Sequence, residues 1–213
     1  MIARLVGEAL FGAAKFLVGG QARWHGCEPT TTQRIYFANH ASHMDTIIMC
    51  GALPGYLRET THPVAAADYW GGGAVQRFVA LKVLNAVLVE RGGSKDPLTP
   101  LREVLESGES LIIFPEGTRR AEALPGAFKA GLYHLAKEFP DAELVPVYLT
   151  NLARAFPKGA ILPAPISAAA HFGMPIQLGK GEEKPAFLQR AQKAILTLAG
   201  QDLAEEAAEG EDA

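Results

Sequence analysis

Short apolar runs alternate with helical stretches through the middle of this chain, and this alternation limits the possible folds more than any other feature of the sequence. The clearest run covers residues 111–114 and reads Leu-Ile-Ile-Phe, with no polar position. A strand of this kind is covered on both faces, as it is in a parallel sheet that lies between helices. Strands that alternate with helices indicate βαβ units. The predicted fold class is therefore α/β, with a mostly parallel, mixed sheet flanked by helices.

The remaining elements are predicted from apolar periodicity and from turn residues. Glycines, Pro29 and a threonine run make residues 19–32 a predicted connection. Residues 157–180, rich in proline and glycine, are predicted to add loops and one or two edge strands. Ser42 is a possible N-cap for the first helix after the connection. The predicted strands cover 34–38, 64–67, 86–90, 110–114 and 144–149, and the predicted helices cover 42–50, 74–81, 98–107, 127–139 and about 185–205.

The chain has the size and composition of a single globular domain. Its 213 residues are 48% hydrophobic and 20% charged, which is enough apolar material for a core without disulfides. The net charge of −3 carries no electrostatic footprint for DNA or RNA, so no nucleic acid is expected as a partner. The two cysteines, Cys27 and Cys50, form neither a disulfide framework nor a metal-binding set, which favours a reducing compartment.

Residues 1–19 are predicted to form an amphipathic helix. Arg4, Glu8 and Lys15 fall within about 40° of one another on a helical wheel and leave apolar side chains around the rest. Glu8 and Lys15 interrupt the stretch where a signal peptide has its uncharged centre, and no run of about 18 apolar residues suits a standard transmembrane helix. Periodicity leaves two placements open: the helix docks on the domain's own core, or it lies in the lipid interface.

A polar cluster at 39–45, Asn-His-Ala-Ser-His-Met-Asp, follows the first predicted strand after the connection. Active sites of α/β proteins lie at the carboxyl ends of strands, and a histidine is readily poised as a general base when a carboxylate orients its ring. His40 and Asp45 have the residue types and the spacing for such a pair. By itself the pattern also fits a polar junction in which Asp45 or Ser42 caps the helix.

His43 allows a second interpretation of the same cluster. Together with His40 and Asp45 it supplies ligand types that bind divalent metals, as in a metal-dependent phosphoester hydrolase. No fourth ligand or carboxylate cluster lies nearby in the sequence, so no metal is predicted. His43 is interpreted as a surface or substrate-lining residue.

A second polar cluster at 114–120, Phe-Pro-Glu-Gly-Thr-Arg-Arg, begins with the last residue of the apolar run 111–114. It is expected at the same edge of the sheet as His40. Arg119 and Arg120 concentrate positive charge in a weakly acidic protein, and a guanidinium group matches a phosphate through two parallel hydrogen bonds. The cluster therefore predicts a phosphate-bearing substrate that binds Arg119, whereas Arg120 is interpreted as a solvated neighbour.

The two clusters together resemble the glycerol-3-phosphate and 1-acylglycerol-3-phosphate (lysophosphatidic acid) acyltransferase family, the PlsC-type domain. The resemblance rests on His-x-x-x-x-Asp at 40–45 and Phe-Pro-Glu-Gly-Thr-Arg at 114–119. Two weaker blocks also fit, Val-Glu-Arg at 89–91 and Leu-Val-Pro-Val at 144–147. The resemblance covers about residues 33–150, and it is specific because four blocks occur in the family's order and spacing.

The resemblance implies acyl transfer from a thioester to the free hydroxyl of 1-acylglycerol-3-phosphate, with acyl-CoA or acyl-ACP as co-substrate and no cofactor. It makes His40 the general base and Asp45 its orienter, the two catalytic residues. No acyl-enzyme is expected, because the chain has no Gly-x-Ser-x-Gly nucleophile elbow and Cys50 lies in an apolar helical stretch without a basic neighbour. The implied substrate-binding residues are Arg91, Glu116, Gly117, Thr118, Arg119 and Lys129.

The implied organisation is an amphipathic, membrane-associating helix at 1–26, an acyltransferase domain at 27–205 and an acidic, disordered tail at 206–213. The expected partners are a membrane lipid and the acyl carrier, and the expected location is the cytoplasmic face of a membrane. Trp70 is expected in an acyl tunnel, at the lipid interface or in the core. Two alternatives stay open: acyl transfer to another lysophospholipid or to a lyso-aminolipid, and a non-catalytic protein that binds anionic lipid.

Overall fold

The computed structural model describes residues 2–18, 21–42, 44–90, 96–120, 124–150 and 168–211. Within these residues the chain forms a seven-stranded sheet with helices on both faces. The strands are β1 (Gln21–Trp24), β2 (Arg34–Ala38), β3 (Thr61–Ala66), β4 (Val87–Val89), β5 (Ser110–Ile113), β6 (Glu143–Leu149) and β7 (Ala169–Phe172). The helices are α1 (Ile2–Val18), α2 (Asp45–Ala52), α3 (Gly55–Arg58), α4 (Ala67–Trp70), α5 (Ala74–Phe78), a π-helical turn (Val79–Val83), α6 (Thr99–Glu106), α7 (Gly131–Glu138) and α8 (Lys184–Glu211).

The order of strands in the sheet is β1-β7-β6-β2-β5-β3-β4. All neighbouring strands are parallel except β6 and β7, which are antiparallel, and this confirms the predicted mostly parallel, mixed sheet. The register places Phe37 of β2 opposite Ile113 of β5, and Ala66 of β3 opposite Val89 of β4. The carboxyl ends of these four strands therefore share one edge, the edge at which parallel α/β sheets carry their sites.

Two hydrophobic cores lie on opposite faces of the sheet, and β2 contributes to both of them. Tyr36 and Ala38 pack into the core that includes α1 and α2, whereas Ile35 and Phe37 pack into the core that includes α6, α7 and α8. Alternate side chains of a strand point to opposite faces. A strand covered on both faces therefore needs an apolar residue at each successive central position, which is the physical reason for the short apolar runs in the sequence.

Helix α1 docks on the domain along one side and exposes apolar residues on another. Phe11 is buried beside Gly51 of α2, and the guanidinium group of Arg58 lies 4.4 Å from the centre of its ring. Leu5, in contrast, is 65% exposed and Val6 is 39% exposed. Among the described residues, no helix is both long and apolar enough to cross a membrane. The helix thus belongs to the core through Phe11, whereas Leu5 and Val6 form apolar surface.

The strands at one end of the sheet differ from the prediction. Residues 21–24 fall within the predicted connection, but they form β1, which pairs in parallel with β7, so the sheet begins before residue 27. Strand β7 falls in a range predicted to supply edge strands, but it lies between β1 and β6. Trp24 stacks on Phe172 with ring centroids 4.0 Å apart. A contact between residues so distant in sequence leaves no local pattern. For this reason the sequence predicted neither the strand β1 nor the position of β7 inside the sheet.

The bounds of the predicted helices differ from the observed ones, and two of these differences, at α2 and α8, have a clear physical cause. Helix α2 begins at Asp45, and Met44 precedes it without a capping side chain, so the prediction that Ser42 caps this helix is wrong. The Ser42 hydroxyl instead accepts a hydrogen bond from the Met44 N–H at 3.2 Å. Helix α8 extends to Glu211 and therefore includes most of the predicted acidic tail. The alanines and glutamates of this stretch have high helix propensity, which accounts for the longer helix.

Replacement of Phe172 by alanine tests the contact between β1 and the core. The side chain is fully buried, stacks on Trp24 and meets Tyr36 edge-on with ring centroids 5.9 Å apart. Its removal leaves a cavity, so we expect the free energy of unfolding to fall by about 3–5 kcal/mol, measured by urea denaturation followed by circular dichroism. Met174→Ala, at a position 68% exposed, is the control and should change stability by less than about 0.5 kcal/mol. Equal effects of the two substitutions would contradict this packing.

Candidate active site

His40 and Asp45 form a hydrogen-bonded pair at the carboxyl end of β2. His40 lies in the loop after β2, Asp45 is the first residue of α2, and the distance from Nδ1 of His40 to Oδ2 of Asp45 is 2.7 Å. Asp45 is fully buried, and the same Oδ2 accepts the backbone N–H groups of Ala41 at 2.7 Å and Ser42 at 2.9 Å. An Nδ1–H donor directed at this carboxylate leaves the lone pair on Nε2, the nitrogen that a general base uses.

The ring of His40 is also held by an aromatic neighbour. It stacks on Phe114, the residue directly after β5, with ring centroids 4.3 Å apart and an interplanar angle of 19°. A carboxylate at Nδ1 and a ring against its face leave the imidazole little freedom to rotate. Phe114 belongs to the second polar cluster, so the stacking joins the two sequence clusters into one site.

Glu116 connects the second cluster to the His40 loop through the backbone. Its Oε1 accepts the N–H of His40 at 2.9 Å and its Oε2 accepts the N–H of Gly126 at 2.9 Å, and the side chain is buried. The substrate-binding role implied for Glu116 stays a prediction: in the structure, both of its carboxylate oxygens accept hydrogen bonds from backbone N–H groups of the site. Gly126 in turn is held by Gln192 of α8, whose amide donates to the carbonyls of Pro125 and Gly126 at 3.0 Å each.

The turn after Glu116 brings two cations to the site. Gly117 has φ +70°, a left-handed conformation that favours glycine, and its N–H donates to the carbonyl of Phe114 at 2.9 Å. Lys129 lies directly over this turn: a Cβ atom on Gly117 would come within 2.5 Å of Lys129 Nζ. Arg119 is exposed beside the turn. Positive charge is thus concentrated where the sequence predicted a phosphate.

A cavity of about 680 Å³ opens at this edge of the sheet. Its polar lining includes His40, Thr118, Arg119 and Lys129, so these residues share one space. Asp96 also lies on the cavity, and its ion pair with Arg102 at 2.6 Å lowers the pKa of that carboxyl. The apolar lining comes from the ends of strands and from the three helices α4, α6 and α7, with Val64, Ala65, Trp70, Leu98, Leu101, Ile113, Leu132 and Leu135. The cavity therefore suits a ligand with a long apolar part and an anionic part.

The predicted site residues are not all covered by the structure. Arg91 and His43 lie outside the described residues. The binding role of Arg91 and the metal site that would include His43 therefore stay predictions from the sequence. Within the described part of the chain, no group of three or more His, Cys, Asp or Glu side chains could bind a metal ion. Cys50 is fully buried, and burial raises the pKa of its thiol to about 12, which makes it a poor nucleophile.

Sequence reasoning missed three residues that support the site. Asn39 joins the ends of β2 and β6, because its side chain accepts the Leu149 N–H at 2.7 Å and donates to the Leu149 carbonyl at 3.1 Å. The backbone N–H of Arg120, interpreted as a solvated residue, donates to the His40 carbonyl at 2.9 Å. The third is Gln192. Only Asn39 had a signal, its place next to His40; the other two act through long-range contacts.

The site of this α/β protein thus combines a histidine–carboxylate pair with a cationic turn at the carboxyl edge of the sheet. The chain belongs to the Acyltransferase family, whose model matches residues 22–150. That match includes both polar clusters and the four strands whose carboxyl ends meet at the cavity.

Named relatives and a solved structure agree with this family. Proteins named 1-acyl-sn-glycerol-3-phosphate acyltransferase from Cocos nucifera and Limnanthes alba are each 27% identical, over 79% and 82% of this chain and 54% and 61% of their own lengths. The alpha protein of that name from Ovis aries is 25% identical over 86% of this chain and 64% of its own length. This chain thus spans between 54% and 64% of the length of these relatives. The crystal structure of the 1-acyl-sn-glycerophosphate (LPA) acyltransferase PlsC from Thermotoga maritima has the same fold, with a TM-score of 0.72 at 21% identity, over 92% of this chain and 78% of that one.

Replacement of Gly117 by alanine tests the contact between the turn and Lys129. The new Cβ strains a backbone with φ +70° and displaces the lysine side chain, so we expect the affinity for glycerol 3-phosphate, measured by isothermal titration, to fall at least about fivefold. Gly108→Ala is a matched control, because Gly108 has φ +81° but nothing within 4 Å of the added atom. Both variants should lose stability, and only Gly117→Ala should lose affinity. A loss of affinity in both would show that strain alone is responsible.

Proposed function

We propose that the protein transfers a fatty acyl group from acyl-CoA or acyl-ACP to the free hydroxyl of 1-acylglycerol-3-phosphate, giving phosphatidic acid. The observation that carries this proposal is the 2.7 Å pair of His40 and Asp45 on a cavity that is also lined by Arg119 and Lys129. A base, an anion site and apolar walls in one space are what acyl transfer to a phosphate-bearing alcohol needs. The names of the relatives from Cocos nucifera, Limnanthes alba and Ovis aries support the choice of acceptor.

In the proposed mechanism, Nε2 of His40 takes the proton of the acceptor hydroxyl while the oxygen attacks the thioester carbonyl. The new carbon–oxygen bond forms, the carbon–sulfur bond breaks, and the imidazolium returns the proton to the departing thiolate. Asp45 stabilises the imidazolium through Nδ1, as a buried carboxylate does for a histidine base. No acyl-enzyme is formed, in keeping with the burial of Cys50 and the raised pKa of its thiol.

The proposed binding roles divide the cavity between its charged and apolar parts. Arg119 and Lys129 bind the acceptor phosphate, and Arg91 adds a further contact by analogy with the family. Gly117 and Thr118 form the turn that brings these cations together, and the apolar walls accept acyl chains. We also propose that the protein works on the cytoplasmic face of a membrane as a peripheral or monotopic protein, with α1 as a membrane-associating element.

A second acceptor class is favoured by two carboxylates that line the same cavity in addition to Asp96. Asp68 and Glu90 line it and are exposed, and carboxylates there suit an acceptor that carries an amino group as well as an anion. A lyso-aminolipid or an amine-bearing lysophospholipid would place its ammonium group on them. The acyl-transfer chemistry on His40 would be unchanged, so the two candidates differ only in the acceptor.

The acceptor is tested by measuring free-thiol release from acyl-CoA, and then from acyl-ACP, with purified protein in detergent. Release with lysophosphatidic acid, and much less with lysophosphatidylethanolamine or lysophosphatidylcholine, is the expected result. Preference for the amine-bearing lipid would select the second acceptor class. No release with any acceptor and either donor would overturn the proposed function in favour of a lipid-binding protein without catalysis.

Lys129→Ala tests the phosphate contact. We expect the KM for lysophosphatidic acid to rise about tenfold or more, because a charge-assisted hydrogen bond is lost, while the KM for the acyl donor changes little. Lys137→Ala is the matched control, since Lys137 is an exposed lysine on α7 that does not line this cavity. A rise of similar size in both variants would mean that general electrostatic attraction, and not a contact at Lys129, binds the acceptor.

A further inference from the structure

The segment 67–83, between β3 and β4, exposes more apolar surface than its neighbours. Neither α4 nor α5 has a buried residue. Val75 is 76% exposed, Tyr69 is 44% exposed and Phe78 is 40% exposed. Clustered exposure of large apolar side chains in a folded protein marks a surface that binds something apolar.

The same segment forms one wall of the cavity. Strand β3 ends at the edge of the sheet that carries His40, and the chain passes directly into α4. Asp68, Tyr69 and Trp70 of α4 line the cavity. The exposed residues of α5 follow after only three glycines, so an apolar phase in contact with α5 would also lie close to the cavity.

Cations accompany the apolar residues of this segment. Val75, Phe78 and Lys82 are spaced by three and four residues and therefore share one side of the continuous α5 and π-helical turn. Arg77 and Lys82 are exposed, and neither takes part in an ion pair within the described part of the chain. Apolar, aromatic and basic side chains in one short segment are the composition of a surface that enters an anionic lipid interface.

Helix α1 packs next to this segment. A Cβ on Gly7 would lie 3.4 Å from a methyl group of Val83, at the end of the π-helical turn. Leu5 and Val6, which directly precede the buried Gly7 in sequence, are exposed. A second exposed apolar patch on an adjoining helix allows the membrane contact to extend beyond one short helix.

We propose that the segment 67–83 is a membrane-docking element: Val75 and Phe78 enter the lipid, Arg77 and Lys82 bind anionic headgroups, and Trp70 lies at the interface beside the cavity. The proposal rests on the proposed function, since it gives a route by which lipid substrates reach His40 from a bilayer. The docking element then binds a lipid bilayer in addition to the contact made by α1. It does not bind a second copy of the chain.

Docking is tested by sedimentation with phosphatidylcholine–phosphatidylglycerol vesicles. Val75→Glu with Phe78→Glu should weaken binding at least about tenfold, because two acidic side chains replace apolar ones that enter the lipid. Met174→Glu, at a position 68% exposed, is the matched control and should bind as the parent protein does.

Arg77→Gln with Lys82→Gln should weaken binding to anionic vesicles by about fivefold per residue and leave binding to neutral vesicles unchanged. Unchanged vesicle binding in the double glutamate variant would overturn the proposal.

Trp70 reports the depth of the segment directly. In a Trp24→Phe background it is the one tryptophan of the chain, since the sequence has two, and its fluorescence should be quenched by lipids brominated on their acyl chains. An absence of quenching in vesicle-bound protein would overturn the placement of Trp70. A concentration-dependent dimer that the double glutamate variant abolishes, without an effect on vesicle binding, would assign the surface to a second copy instead.

Activity separates this proposal from the proposed function. With a short-chain lysophosphatidic acid that is monomeric in water, the double glutamate variant should release thiol as fast as the parent protein, and with long-chain acceptor in vesicles it should be at least about tenfold slower. Equal loss on both acceptors would overturn docking as the role of these residues. If the parent protein releases no thiol with either acceptor, the proposed function fails, whereas vesicle binding and quenching still decide the docking element.

Discussion

One carboxylate oxygen organises the site. Oδ2 of Asp45 accepts Nδ1 of His40 and the backbone N–H groups of Ala41 and Ser42, all within 2.9 Å. A buried carboxylate is stable only when such donors compensate for the loss of water. The loop between β2 and α2 is therefore folded around Asp45, and the position of the imidazole follows from the same contacts. Without this carboxylate, the loop would lose its internal acceptor and His40 its orientation.

The rest of the molecule holds that loop in place against the sheet. Glu116, after β5, binds the backbone of His40 and of Gly126, and Gln192 of α8 binds the carbonyls next to Gly126. Asn39 joins β2 to β6 through Leu149. Elements from both sides of the sheet thus converge on one imidazole and one cationic turn. Rigid support of this kind is what a general base needs to act on a hydroxyl held at a defined place.

Sequence reasoning succeeded where the physical cause is local. Residues 111–113 of the apolar run are part of β5 because both faces of this strand are covered, and the spacing of His40 and Asp45 fits one loop and the first turn of a helix. It failed where the cause is distant: β1 depends on the stacking of Trp24 on Phe172. The hydrogen bonds of Glu116 to the backbone were not predicted for the same reason, since its partners lie 76 and 10 positions away. The residues next to Glu116, Pro115 and Gly117, give no local sign that its carboxylate accepts hydrogen bonds from backbone amides.

The most direct test of this account is thiol release from acyl donor with lysophosphatidic acid, compared between the parent protein and His40→Ala. General-base catalysis contributes about 10²–10⁴-fold, so we expect the variant to lose at least about a hundredfold in kcat while its circular dichroism and thermal unfolding stay unchanged. The control is His134→Ala, because His134 is an exposed histidine on α7. This variant should remain fully active. Turnover by His40→Ala within about threefold of the parent protein would contradict the central role given to the pair of His40 and Asp45.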